Sequence, residues 1–113
     1  MLNLVTEKSD YPSAVLIRAI EPIEGTDIMK KNRNISNVGN LTSGPGKLTK
    51  AFGIDKNMNG VTLIDSNIYL LDMGFNSSKI CTTSRIGVDY AEDPWKSIKW
   101  RFYDASSHYL SHT

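Results

Sequence analysis

Ala14-Val15-Leu16-Ile17-Arg18-Ala19-Ile20, bounded by Tyr11-Pro12-Ser13 on one side and Pro22 on the other, is the run that decides the fold class of this chain. It carries a single charge, and Val15, Ile17 and Ile20 are β-branched, so it is too apolar and too stiff for a surface helix and reads as a buried strand over residues 14–20. Pro22 lacks the N–H a ladder needs and ends it. Arg18 is the anomaly in the run. A guanidinium inside an apolar strand must meet an anion or a set of carbonyls to be tolerated. Two readings follow: a structural ion pair with Glu21 or Glu24, or a contact with a substrate group or a catalytic water.

Working outward, Gly25 with Thr26 or Asp27 offers a helix start for Ile28-Met29-Lys30-Lys31, and residues 32–40 are polar and turn-rich, a loop. Next comes Leu41-Thr42-Ser43-Gly44-Pro45-Gly46-Lys47-Leu48-Thr49-Lys50-Ala51-Phe52-Gly53. A capping cluster, a proline near the first helical position and a closing glycine predict a short helix there. Residues 61–64, 68–73, 80–90 and 100–103 read as short strands separated by Gly, Asn, Asp-Pro and Ser clusters. The expectation is an α+β fold: one curved antiparallel sheet with short flanking helices, in an incomplete single domain whose last ten residues are loosely attached.

Composition is that of an ordinary globular domain, with 40% hydrophobic and 22% charged residues in 113. No stretch approaches the roughly 20 apolar residues of a membrane span, and the first residues lack the basic flank and apolar core of a signal peptide; no membrane partner and a cytoplasmic location are expected. Asparagine sequons at Asn34, Asn40 and Asn76 would matter only in a secretory compartment. The net charge of +1 is unremarkable, but its distribution is not: residues 28–56 hold Lys30, Lys31, Arg33, Lys47, Lys50 and Lys56 against the single acid Asp55. Such a cluster attracts phosphates through Coulomb forces and counterion release, or serves only as a solvated face.

Cys81, the single cysteine, excludes an internal disulfide and a multi-cysteine zinc site. Asp55-Lys56-Asn57-Met58-Asn59-Gly60 imitates the first half of a calcium loop, yet Ser66 stands where the bidentate glutamate belongs, so the segment is a turn. His108 and His112 are four apart with no third ligand near. No metal and no cofactor are expected. Ser43-Gly44-Pro45-Gly46-Lys47 opens a helix whose free N–H groups and adjacent lysine suit a phosphate, without the spacing of a Walker loop; an ordinary capped helix is the other reading.

Four motifs in order resemble the alkyladenine (3-methyladenine, methylpurine) DNA glycosylase family: residues 14–25; residues 41–54 with their Ser-Gly-Pro-Gly-Lys-Leu core; Ser84-Arg85-Ile86-Gly87-Val88-Asp89-Tyr90-Ala91; and Trp100-Arg101-Phe102-Tyr103. The resemblance covers nearly the whole chain, as the C-terminal part of an alkylpurine DNA glycosylase domain. It implies a monofunctional hydrolase of base-excision DNA repair, a monomer when complete. Such an enzyme flips an alkylated or deaminated purine from double-stranded DNA and attacks the sugar C1′ carbon with a water activated by a glutamate. It further implies that Arg18 and the backbone carbonyl of Ile86 hold that water and that Asn3 lies against the purine edge, crowding the amino group of a normal guanine. Ser43, Gly46 and Lys47 would contact DNA phosphates and fix register.

Family members carry a long N-terminal portion that supplies the catalytic glutamate, the side chains that sandwich the flipped base and the tyrosine that fills the gap in the duplex. The resemblance here begins at Met1-Leu2-Asn3, and Glu7, Glu21, Glu24 and Glu92 do not match the catalytic position. The chain by itself is therefore expected to be inactive, the alternative function being a truncated, non-catalytic DNA-binding fragment.

Overall fold

The computed structural model describes residues 1–111, which fall into two compact units: Met1–Leu70 with the segment from His108 onward, and Leu71–Ser107. His112, one of the two histidines weighed above, lies outside the described residues.

The first unit opens on an antiparallel hairpin, β1 (Asn3–Val5) and β2 (Ala14–Leu16), with Asn3 opposite Leu16 and Val5 opposite Ala14. Bonds from Ile17 N–H to Leu2 O (3.0 Å) and from Thr6 N–H to Ser13 O (3.2 Å) extend the pairing at both ends. The strand expected over residues 14–20 is thus shorter, and it is not buried: Val15 is 52% exposed, β2 pairing with β1 alone among the described residues. Residues 17–20 leave the hairpin for the next layer, where Thr42 Oγ1 donates to Ile20 O (2.7 Å) and Ile20 N–H donates to Thr42 O (3.4 Å). Helix α1 (Thr26–Arg33) starts at Gly25, whose φ of 72° lies in the left-handed region that glycine enters without strain, and Lys30, Lys31 and Arg33 fill its last turn, where cations favour the dipole. Helix α2 (Pro45–Phe52) packs on α1, and Met29, Leu41 and Ala51 form the core with Ile35 and Val38 against them. Asn32 Nδ2 ties α1 to the last turn of α2 at Ala51 O (3.0 Å).

The expected strands at 61–64 and 68–73 do not form. Side chains there bond their own backbone instead, Thr62 Oγ1 to Ile64 O and Ser66 Oγ to Ile68 O, each at 2.7 Å, a local alternative that withholds the chain from a ladder. The calcium-like stretch is a 3-10 turn, Lys56–Met58, capped by Asp55, whose carboxylate accepts the Asn57 N–H at 2.9 Å.

In the second unit β3 (Ile80–Thr83) pairs antiparallel with β4 (Arg101–Asp104), Thr83 opposite Arg101 and Ile80 opposite Asp104. The strand expected over 80–90 stops at Thr83, opposite Arg101 where β4 begins, and further on Gly87 adopts a left-handed φ of 76°. The architecture is α+β with antiparallel pairing, delivered as two two-stranded ladders.

Candidate nucleic-acid interface

The start of α2 is built without a side-chain cap. Its N-cap is Gly44, in extended backbone, and Pro45 occupies the first position, where a missing N–H costs nothing. Ser43, which composition would nominate as the cap, turns its hydroxyl to Asn40 Oδ1 (3.4 Å). The N–H groups of Gly46 and Lys47 therefore stand at the positive end of the helix without a protein oxygen from the cap residue. Leu41, Thr42 and Leu48 are almost wholly buried on either side, so the turn rests on a rigid footing.

Asn40 gathers the charges. Lys47 Nζ donates to its Oδ1 at 2.6 Å, the lysine stem lying against the open Cα of Gly44, and Arg33 Nη2 reaches its carbonyl at 3.4 Å. Two cations thus meet at one residue beside an uncapped helix start. Sequence reasoning placed Ser43, Gly46 and Lys47 here and counted Arg33 in the basic cluster, but passed over Asn40, whose only signal was an asparagine closing a polar loop seven residues before a lysine. Lys31, Lys50 and Lys56 are exposed on the same unit.

Asn3 is exposed on β1 and lines a groove of about 820 Å³ with Leu4, Ile54, Met58, Leu63 and Ile68. Asn3 pairs with Leu16, the last residue of β2, and Arg18 follows two residues beyond the ladder. Arg18 is half-buried, with its Nε shut off from solvent.

Ile86 belongs to the second unit. It is 38% exposed, in a bend after β3 that is held at its base by Arg101, a buried guanidinium that donates from Nη1 to Thr83 Oγ1 (3.1 Å) and lies 4.7 Å from the Tyr103 ring centroid. Neighbouring Arg85 donates from Nη2 to Trp95 O at 2.8 Å and stands 5.7 Å from the Trp100 centroid; the two indoles are 5.6 Å apart. At the far end of β4, Asp104 accepts both the N–H and the hydroxyl of Ser106, which hold its carboxyl below the ordinary carboxylate value, helped by Ser77 and the charge of Lys79.

A basic turn at an uncapped helix start is the equipment of an anion-binding protein. The model of the methylpurine-DNA glycosylase (MPG) family matches residues 1–108, and the chain belongs to that family. It is similar to a protein of Desulfitobacterium hafniense (strain Y51), 44% identical over 117 residues that cover 96% of this chain and 57% of the relative. A relative from Clostridium novyi (strain NT) is 45% identical, covering 97% and 58%, and one from Bacillus subtilis (strain 168) is 39% identical, covering 98% and 56%. Each carries the name "Putative 3-methyladenine DNA glycosylase". The chain spans less than two thirds of the length of these relatives. Among the described residues no helix is long and apolar enough to cross a membrane.

Proposed function

We propose that this chain is the DNA-gripping and water-orienting part of a base-excision repair glycosylase that hydrolyses the N-glycosidic bond of an alkylated or deaminated purine flipped out of duplex DNA. The observation that carries the reading, beside family membership, is the convergence of Lys47 and Arg33 on Asn40 at the uncapped start of α2. A phosphate there meets two N–H groups and two cations, contacts that fix the register of a duplex without reading its sequence.

The chemistry is a displacement at C1′. A water oxygen forms a bond to C1′ as the C1′–N bond to the purine breaks, and the departing purine takes the electron pair. The resemblance assigns two ligands to that water: Arg18, which would donate a hydrogen bond to its oxygen, and the Ile86 carbonyl, which would accept a hydrogen bond from one of its O–H groups, that proton staying with the oxygen. The other proton passes to a general base, assigned by the resemblance to a glutamate in the portion of the relatives outside the match. Asn3, at the mouth of its groove, crowds the amino group of an undamaged guanine. The enzyme acts as a monomer wherever the cell keeps its DNA. Residues 1–113 alone bind without cleaving. Favouring this second reading, the second unit has no buried apolar side chain among the described residues.

The test is the salt dependence of duplex binding. Lys47→Ala should weaken binding to damaged and undamaged DNA alike and flatten the slope of log K against log salt by about one unit. An unchanged slope would remove Lys47 from the contacts. Activity is read in a chimera that joins residues 1–113 to the portion of the Clostridium novyi relative outside the match.

A further inference from the structure

Ile86 contributes a backbone carbonyl, so no side chain of its own can set where that oxygen points. The bend that carries it must be held by its neighbours, and Gly87, at φ 76°, gives it no stiffness. Arg85 is the neighbour with the means. Its Nη2 is bonded to Trp95 O at 2.8 Å, its guanidinium lies over the Trp100 ring with the centroid 5.7 Å away, and its Nε is buried with no hydrogen-bond partner among the described residues. The two indoles lean on each other at 43° with centroids 5.6 Å apart. At the other end of the bend, Thr83 Oγ1 accepts from Arg101 and donates to Ser84 O, each at 3.1 Å. The bend is thus pinned at Thr83 and again at Arg85, leaving one residue between the second pin and the Ile86–Gly87 peptide.

We infer that Arg85 is a positioning residue: its bond to Trp95 O and its seat on Trp100 set the orientation of the Ile86 carbonyl and so the place of the attacking water. The inference rests on the reading of that carbonyl as a water ligand. A planar guanidinium bonds through one edge while its face lies on an aromatic ring, which the compact ammonium of lysine does not do.

The sequence supplies an unusually clean probe, because Ile86-Gly87 is the only Ile-Gly pair in the chain. With carbonyl-13C isoleucine and 15N glycine, the 113-residue chain gives one carbonyl-to-amide cross-peak, reporting the peptide in question. Arg85→Met should displace and broaden that peak and shift the emission of Trp95 and Trp100, the only tryptophans. Arg85→Lys should fall between Arg85→Met and the parent. In the chimera, Arg85→Met should slow single-turnover excision by about 10²-fold with duplex binding unchanged, the scale of a small misplacement of a reacting group. A third variant replaces Gly87 by glycolic acid, which makes the Ile86 carbonyl a weaker ester acceptor. An unmoved peak in Arg85→Met overturns the inference. So does a moved peak with a wild-type rate while the ester variant is slow, since the carbonyl then matters and Arg85 does not place it. An ester variant at wild-type rate instead overturns the role of Ile86, and with it the catalytic part of the inference.

Discussion

At the scale of single residues, the roles proposed for Arg18 and Asn3 are opposite in kind. A guanidinium donates only, so whatever Arg18 holds must offer lone pairs, and a water about to attack C1′ does. Arg18→Ala in the chimera is expected to lower single-turnover excision of hypoxanthine or an alkylated purine by about 10²-fold or more, the range for deleting a preorganised donor, with duplex affinity little changed. Arg18→Lys should not restore the rate, because one ammonium lacks the fork. Equal losses in rate and affinity would instead mark Arg18 as a structural ion pair. The role proposed for Asn3 is exclusion. Asn3→Ala should leave excision of damaged purines near the parent rate and raise release of normal guanine, measured on an undamaged duplex; unchanged guanine release would end its role as a filter.

At the scale of elements, the turn that opens α2 is only as firm as its anchor. Thr42 is fully buried and its hydroxyl serves Ile20 O at 2.7 Å, so Thr42→Val keeps the volume and orphans a carbonyl, costing about 1–3 kcal/mol in urea unfolding. Gly53 closes α2 at φ 66°, and Gly53→Ala should cost about 1–2 kcal/mol by forcing a Cβ into the left-handed region. Asp104 adds a pH dependence. Its folded carboxyl is held below the ordinary value by Ser106 first, so the stability it lends is present above the ordinary carboxylate range and is lost as pH falls through the depressed one. Tryptophan emission should show the β3–β4 unit weakening in acid, and Asp104→Asn should weaken it at neutral pH and flatten that trend. Both helices were legible because glycine, proline and cap chemistry act locally, at Gly25, Pro45 and Gly53. Strand length was not, since it depends on a partner: Ile20 closes a strand-like run yet bonds to Thr42, and Thr62 and Ser66 spend their hydroxyls on nearby backbone. Asn40 and Arg85 were given no role for the same reason, each being a functional candidate only through what the fold sets beside it.

At the scale of the molecule, the distribution of burial argues that these residues do not act alone. The buried apolar core is Met29, Leu41, Leu48 and Ala51, all in the first unit, while Ile80, Trp95, Trp100 and Phe102 of the second are each at least half exposed. Large apolar side chains exposed in such number leave surface that more polypeptide could cover, and the relatives are longer than the match by more than two fifths of their length. Catalysis points the same way. On the proposed reading the general base is a glutamate outside the matched portion, and general-base assistance contributes about 10² to 10⁴ in rate. Flipping a purine without a side chain to fill the gap leaves an unstacking cost of a few kcal/mol unmet. The two deficits multiply, because one lowers the population of the flipped state and the other the rate from it. Residues 1–113 in excess over an oligonucleotide bearing hypoxanthine, treated afterwards with alkali, should therefore give no cleavage above background, while the same preparation retards the duplex in a low-salt binding assay. The chimera should cleave. Cleavage by the 113 residues alone, lost on Arg18→Ala, would show that a carboxylate within the chain serves as the base and that the water site is complete without the rest of the relatives' fold.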